Sequence, residues 1–517
     1  MQAAWGRWKW PAALALCVLA AGALSVRERL DVNWDLKNYH FYNAFAFLNG
    51  RMGWDIAPAQ VQTYYNPLLD LPFYYLVEAI PSPRIIAAVM AASTGVAAFF
   101  LLRIVSILFP RGAVPDRVLW IALAFAVGVT GAAGLSVIGS TMNEWPPAML
   151  VMAALAVLVA SIADRGAPTI AAIALAGILG GIAVGLKLTY GIFGLALFAA
   201  LGALGTMRER LWRLAAMGGF LALGFLLAYG FWGAILYREY GNPFFPYFNA
   251  IFKSPYWEPI NFFDRNFGPR DWLQAIAFPI YYARDHKLVA EVSFRDWRLA
   301  VLMVVAAGCV VKYALVRNKI PDVWKFLSLF TLVAYLAWLK LFGIFRYLVP
   351  LEMLSGALIV GGLLYLIPGK NARRAAIVIV AVLLIGTTRK ASWGRLDFHG
   401  AYFDVEAPAI PANSLVIVGP YEPMAYAIAF FRPDARFVSP ANNFLHFTQS
   451  NLLAKRVAEI VAAHTGPIYA LDLQDRADVD LSLKHFGLAR DVTKCLRVRS
   501  NLDMSMMRVC PVQRVKR

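Results

Sequence analysis

The sequence predicts an α-helical, multi-pass membrane protein with about eleven spans and a small C-terminal α/β domain. Three observations predict it. Of 517 residues, 60% are hydrophobic and only 15% are charged. A mean hydropathy of +0.59 excludes an ordinary soluble enzyme. Apolar runs near the roughly 20 residues that cross a hydrocarbon core recur along the chain. The connections between them alternate in character: some are short and basic, others long and aromatic. The net charge of +18 is spread over these short loops rather than gathered in one stripe, which argues for positive-inside loops and against a nucleic-acid partner.

The first element is the run 11–26, behind the basic start "MQAAWGRWKWP". "AGA" at 21–23 would pass as a signal-peptide cleavage site, but the further runs favour a retained first span. These runs cover 82–109, 117–138, 146–163, 169–186, 188–206, 213–237, 298–316, 322–342, 346–367 and 374–388. The connections "PRGAVPDR", "ADRGAP", "MRERLWR", "VRNK" and "PGKNARR" are basic and belong in the cytoplasm. The remaining ones belong outside: 27–81, 139–145, the turn at Lys187, 238–297, the turn at Arg346, and everything after 389. The alternation needs no skipped helix. It places the N-terminus in the cytoplasm, residues 1–388 in a transmembrane domain, and 389–517 in an extracytoplasmic domain.

The tail alternates strand-like "SLVIVG", "ARFVS", "PIYALD", "CLRVRS" and "MRVCPV" with helical "MAYAIAFF" and "NLLAKRVAEIVAAH". Four cysteines are too few for a disulfide scaffold, and none has CxxC spacing. Cys17 and Cys309 fall in apolar runs and read as buried thiols. Cys495 and Cys510 flank "SNLD", where a hairpin would set them opposite one another; an extracytoplasmic location permits a disulfide there. The loop 238–297 is aromatic enough to lie in the headgroup layer.

The external segment "NWDLKNYHFYNAFAFLNGR" (33–51) carries the strongest chemical signal. A helix starting near Asp35 places Asp35, Tyr39 and Tyr42 on one face, beside Asn38. Asp35 is then a helix cap, a carboxylate that accepts a hydroxyl proton, or both, since a helix N-terminus favours the carboxylate form. On the same outer face fall Glu144, Lys187, Lys253, Arg265, Arg270 and Arg346. Basic residues at outer helix ends run against the positive-inside tendency, so each needs a reason. One reason is an anionic ligand at headgroup level, such as a lipid phosphate; the other is snorkelling. Gly177, Gly181 and Gly185 read as a small-residue packing face. "DVE" (404–406) and "DVD" (478–480) read as solvated charge rather than metal ligands.

"DLKNYHFYNAFAFLNGR" followed by "TYYNPLLDLPFYYL" resembles the first external loop of the GT-C glycosyltransferases, which use polyprenyl-phosphate-linked sugars. Asp35, Tyr39, Asn43, Gly50, Tyr64, Pro67 and Leu68 occupy corresponding places. The adjacent second acid of some branches is missing, since Leu36 follows Asp35, and Asp31 stays a rival for its role. "GIAVGLKLTYG" (181–191) is similar to an external helix end with Lys187 in the basic position, and "FRYLVPLE" (345–352) to the R-Y-L-x-P opening of a late span with Arg346 there. The resemblance covers roughly residues 30–350, in short, degenerate motifs.

The resemblance implies a GT-C-like fold and an inverting membrane glycosyltransferase, a hexosyl- or pentosyltransferase of mannosyltransferase or arabinosyltransferase type. Asp35 would be the general base. Tyr39, His40, Glu144, Lys187, Arg346, Lys253 and Arg270 would bind substrate. The partners implied are a polyprenyl-phosphate-sugar donor, a lipid, glycan or protein acceptor, and membrane lipids. No cofactor is required, and no residue pattern supports a divalent metal. The rival readings are a lipid-linked-sugar flippase or transporter, and a non-enzymatic protein of cell-envelope polysaccharide assembly.

Overall fold

A computed structural model describes residues 2–112, 115–261, 266–473, 478–502 and 506–515. The chain divides into two compact units, each discontinuous in sequence.

The first unit comprises Met1–Glu28, Ala88–Gly230 and Asp264–Trp393. Among the described residues of the whole chain, seven helices are long and apolar enough to cross a membrane: Lys9–Arg27, Pro83–Leu108, Trp145–Arg165, Met207–Tyr240, Arg298–Val316, Asp322–Leu341 and Phe345–Leu366. The chain is thus a helical multi-pass membrane protein. Exposed Leu226 and Leu227, each beyond half accessible, suit lipid rather than water.

The other four predicted runs are helical but fall short of a span. Arg117–Val129, Ile170–Leu186 and Leu188–Leu201 are shorter. Lys370–Thr387 carries three cations in its first five residues. At 1.5 Å per residue the 13 residues of Arg117–Val129 reach only about 20 Å. The run 117–138 turns at Gly131 into a separate short helix, Ala132–Ser136, and a Cβ at Gly131 would lie 2.1 Å from Glu352 Oε2. The glycine face holds: Cβ atoms at Gly177, Gly181 and Gly185 would lie 2.6, 2.1 and 2.8 Å from atoms of Phe220, Leu221 and Ala228, so the two helices touch backbone to backbone. Cys17 and Cys309 are half-buried rather than buried.

The second unit comprises Arg29–Ala87, Phe231–Phe263 and Gly394–Arg517. Its strands are β1 (Leu30–Asp31), β2 (Arg395–Leu396), β3 (Val405–Glu406), β4 (Leu415–Val418), β5 (Arg436–Val438), β6 (Ile468–Leu473), β7 (Leu488–Arg490), β8 (Leu496–Ser500) and β9 (Met507–Arg514). β1 and β2 pair with each other, and the rest form one sheet of order β3-β8-β9-β6-β4-β5, with β7 also on β9. β4 runs parallel to both β5 and β6, while β9 is antiparallel to β6. The unbroken apolar "LVIV" of β4 is buried on both faces, as a central parallel strand requires. "NLLAKRVAEIVAAH" forms the helix Leu452–Ala463, capped by Asn451 Oδ1 accepting from Ala454 N at 2.9 Å. "MAYAIAFF" forms a 3-10 turn instead.

The tail does not fold alone. Ile56 adds to the edge of β5: its N–H donates to Phe437 O at 3.0 Å, and Ser439 N donates to Ile56 O at 2.9 Å. Leu496 pairs with Val509, which sets Cys495 and Cys510 opposite one another, and a disulfide joins them.

Candidate functional site

Three predicted residues from three separate connections meet in the first unit. Glu144 immediately precedes the helix Trp145–Arg165, whose first turn holds two prolines where missing N–H donors cost nothing. Lys187 ends the helix Ile170–Leu186 by turning extended, with φ −144° and ψ 105°. Arg346 lies in the 3-10 turn Phe345–Leu348 that leads into Val349–Leu366. Lys187 Nζ donates to Glu144 Oε1 at 2.6 Å and to Met142 O at 3.1 Å. Arg346 Nε is 3.7 Å from the same carboxylate oxygen. Tyr190 Oη donates to the Glu144 carbonyl at 2.7 Å, which holds the acid's backbone.

The charges are layered. The Glu144 side chain is 0% exposed, whereas Lys187 is 17% and Arg346 19% exposed. Glu144 Oε2 is buried with no hydrogen-bond partner among the described residues. Tyr347 lies beneath both cations, at 5.4 Å from Lys187 and 5.7 Å from Arg346, and Trp393 lies 5.5 Å from Arg346. Arg346 and Trp393 also line a small cavity with Ile344, Phe345, Ala132 and Ser136. An inner acid thus orients two outer cations, an arrangement suited to holding an anion.

A second charged cluster supports this turn, and sequence reasoning missed it. Asp296 Oδ2 accepts from Ala132 N, and the two oxygens of Glu352 accept from Ala133 N and Gly134 N, each at 2.9 Å. These are the N-terminal N–H groups of the helix Ala132–Ser136, where a carboxylate is favoured. Buried Arg298 pairs with Asp296 at 2.5 Å. The clamped helix in turn accepts Trp145 Nε1 at Gly134 O, 3.1 Å, and Trp393 Nε1 at Ser136 Oγ, 3.3 Å. Both indoles flank the Glu144–Arg346 cluster. An acid within the apolar run after "FRYLVP" was the available signal.

Of the remaining predicted residues, Asp35, Tyr39, His40 and Lys253 lie in the second unit and Arg270 in the first. Asp35 is buried but does not cap its helix: Asn33 does, with Oδ1 accepting from Leu36 N at 2.8 Å. Leu36–His40 is π-helical, which breaks the 3.6-residue period behind the expected Asp35–Tyr39–Tyr42 face. Tyr42 turns to Asp55 instead, donating at 2.9 Å. Burial and then the Asp55 charge push its phenol well above the ordinary range, so it stays a donor. Tyr39 packs edge-on against Tyr65 at 5.4 Å. His40 Nδ1 lies 2.6 Å from Asp70 Oδ1, both side chains buried, so Asp70 orients the imidazole. Asp70 was not singled out beforehand. The rival acid Asp31 sits in β1 and accepts from Asn33 Nδ2 at 2.8 Å.

Lys253 is exposed in the left-handed region, at φ 53°. Arg270 is exposed, and no contact among the described residues ties its side chain to Glu144, Lys187 or Arg346. Arg265 lies outside the described residues. Glu406 of "DVE" forms an exposed pair with Arg499, and Asp480 of "DVD" pairs with Arg490. Among the described residues no three His, Cys, Asp or Glu side chains gather as a metal-ligand set. No family model, no curated protein and no solved structure matches this chain.

Proposed function

We propose that this chain is a multi-pass glycosyltransferase of GT-C type, acting at the outer face of the membrane. It moves a sugar from a polyprenyl-phosphate donor to a hydroxyl of a lipid, glycan or protein acceptor. The observation that carries this reading is the meeting of Glu144, Lys187 and Arg346, which lie 43 and 202 residues apart along the chain (187 − 144 and 346 − 144). The alternation of the connecting loops puts all three on the outer face. A monophosphate leaving group matches two partly accessible cations backed by one acid.

In this mechanism Asp35 takes the proton of the acceptor hydroxyl. The oxygen forms its bond to the anomeric carbon from the side opposite the phosphate. The carbon–oxygen bond to the phosphate breaks, its electron pair leaving on the polyprenyl phosphate, which Lys187 and Arg346 stabilise. The configuration inverts.

The test is sugar transfer by the chain in nanodiscs with a polyprenyl-phosphate-sugar donor. Asp35→Asn is expected to lower transfer on the order of 10²-fold or more while donor binding persists. Undiminished transfer removes Asp35 from the mechanism. Movement of the lipid-linked sugar across the bilayer, with no glycoside formed, replaces the enzyme by a flippase.

A further inference from the structure

We propose that a groove on the sheet-bearing unit binds a neutral oligosaccharide. Trp54, Asn413, Asp434, Arg436, Glu459 and His464 line it, around a volume of about 450 Å3. That lies within the roughly 300–1,000 Å3 of small-molecule sites. Every lining residue belongs to the second unit, so the proposal stands on that unit and not on the transfer reaction.

The groove opens at the N-terminal ends of the parallel strands, where Asn413 precedes β4 and Arg436 begins β5. Open α/β sheets usually take ligands at the opposite, carboxyl ends. Here that end is covered by the first external loop. Gln60 Nε2 donates to Tyr421 O at 3.2 Å, and Val61 N donates to Asn443 Oδ1 at 3.1 Å.

Trp54 is 45% exposed, an exposure that packing of the unit does not require. Its place is nonetheless built. Arg51 grips Asp55 through Nε at 2.7 Å and Nη2 at 2.9 Å. Asp55 Oδ1 accepts from Phe437 N at 2.9 Å, which fixes this loop to β5. Trp54 N donates to Arg51 O at 3.1 Å, and Trp54 O accepts from Arg436 Nε at 2.7 Å. The Arg436 guanidinium lies 4.6 Å over the indole. The tryptophan is therefore a held platform with one face taken by a cation.

The polar groups decide the ligand class. Asp434 accepts from Arg432 Nε at 2.9 Å and from Asn413 N at 3.0 Å, and these bonds hold its carboxyl below the ordinary range. Glu459 is an exposed second carboxylate. With Arg432 on Asp434, two carboxylates meet two guanidiniums, so no net positive charge is left to select a phosphate, and so much charge disfavours an apolar ligand. A sugar ring satisfies the whole set. One ring lays its C–H face on the side of the indole away from Arg436, and the hydroxyls of a neighbouring ring donate to Glu459 and accept from Arg436.

Saturation-transfer NMR on the full chain in nanodiscs tests this. The probes are neutral gluco-, manno-, galacto- and arabino-oligosaccharides of three to six units, with inorganic phosphate added as a competing anion that should not displace them. Transfer to ring protons is expected for at least one series. Trp54→Ala should cut it at least fivefold, and Glu459→Gln, at an exposed position that cannot upset the core, at least twofold. No transfer from any series overturns the proposal, as does transfer that neither variant lowers. A label on Trp54→Cys, in a chain with Cys17 and Cys309 replaced by Ser, that brominated lipid quenches assigns this tryptophan to the membrane surface and also overturns it.

Discussion

Two clusters of acids and bases lie in the membrane unit, and they differ in how completely they are satisfied. Around Arg298 every donor is used. Nε donates to Val127 O, Nη1 to Asp296 Oδ2 and Thr388 Oγ1, and Nη2 to Thr130 O and Oγ1, all within 2.5–2.8 Å. Both oxygens of Glu352 accept backbone N–H groups. Around Glu144 one carboxylate oxygen is buried without a hydrogen bond among the described residues, and both cations are partly exposed. A closed network has no capacity left for a ligand, and its residues serve the fold. The Glu144 cluster instead presents two partly exposed cations that an anion can approach.

The contrast can be broken by experiment. The largest effect is expected for Arg298→Met, which leaves Asp296 and Glu352 buried without their cation. Thermal unfolding in detergent should register a loss of about 3–5 kcal/mol, and a fold that tolerates the change would mean that the cluster is not closed. Glu352→Gln comes next. The amide has one acceptor oxygen for two N–H groups, so about 1–3 kcal/mol should be lost at unchanged anion binding per folded molecule. For Arg346→Ala and Lys187→Ala the pattern should invert. Binding of a polyprenyl phosphate, measured by calorimetry, should fall tenfold or more, equal to at least about 1.4 kcal/mol, while the unfolding temperature barely moves. A large drop in stability with unchanged binding would make this cluster structural too. The smallest effect belongs to Glu144→Gln. Removing the inner negative charge should raise phosphate affinity by roughly threefold at low salt, and the gain should fade as salt is added. A fall in affinity would mean that Glu144 acts mainly by positioning Lys187.

How far each cluster was legible follows from the same difference. Lys187 and Arg346 stood out because cations at outer helix ends run against the charge bias of membrane loops. Arg298 looks like any basic residue at a helix start, and its partner Asp296 lies two residues away on the same strand of sequence. Nothing local says that Thr130 and Glu352 complete the network. Similarly, Asn33 and Asp35 are both favoured caps, and local chemistry does not choose between them. The choice of Asn33 leaves Asp35 within the helix. Tyr42 was assigned to the Asp35 face by periodicity alone, and Asp55 draws it elsewhere.

Composition and hydropathy were sufficient for a helical membrane protein with a C-terminal sheet, because burial of apolar surface and strand alternation are properties of short windows. They predicted each tail strand from β4 to β6 and the β8–β9 hairpin with its two cysteines. Windows do not register contacts between distant segments. The apolar run 117–138 is split into two helices, and the second has its first N–H groups bonded by Asp296 and Glu352, carboxylates far along the chain. The sheet gains Ile56 because an edge strand offers unpaired backbone groups to whatever segment lies alongside. Span length, domain membership and the pairing of charges all depend on which distant groups satisfy one another's hydrogen bonds, and that becomes known only when the chain has packed.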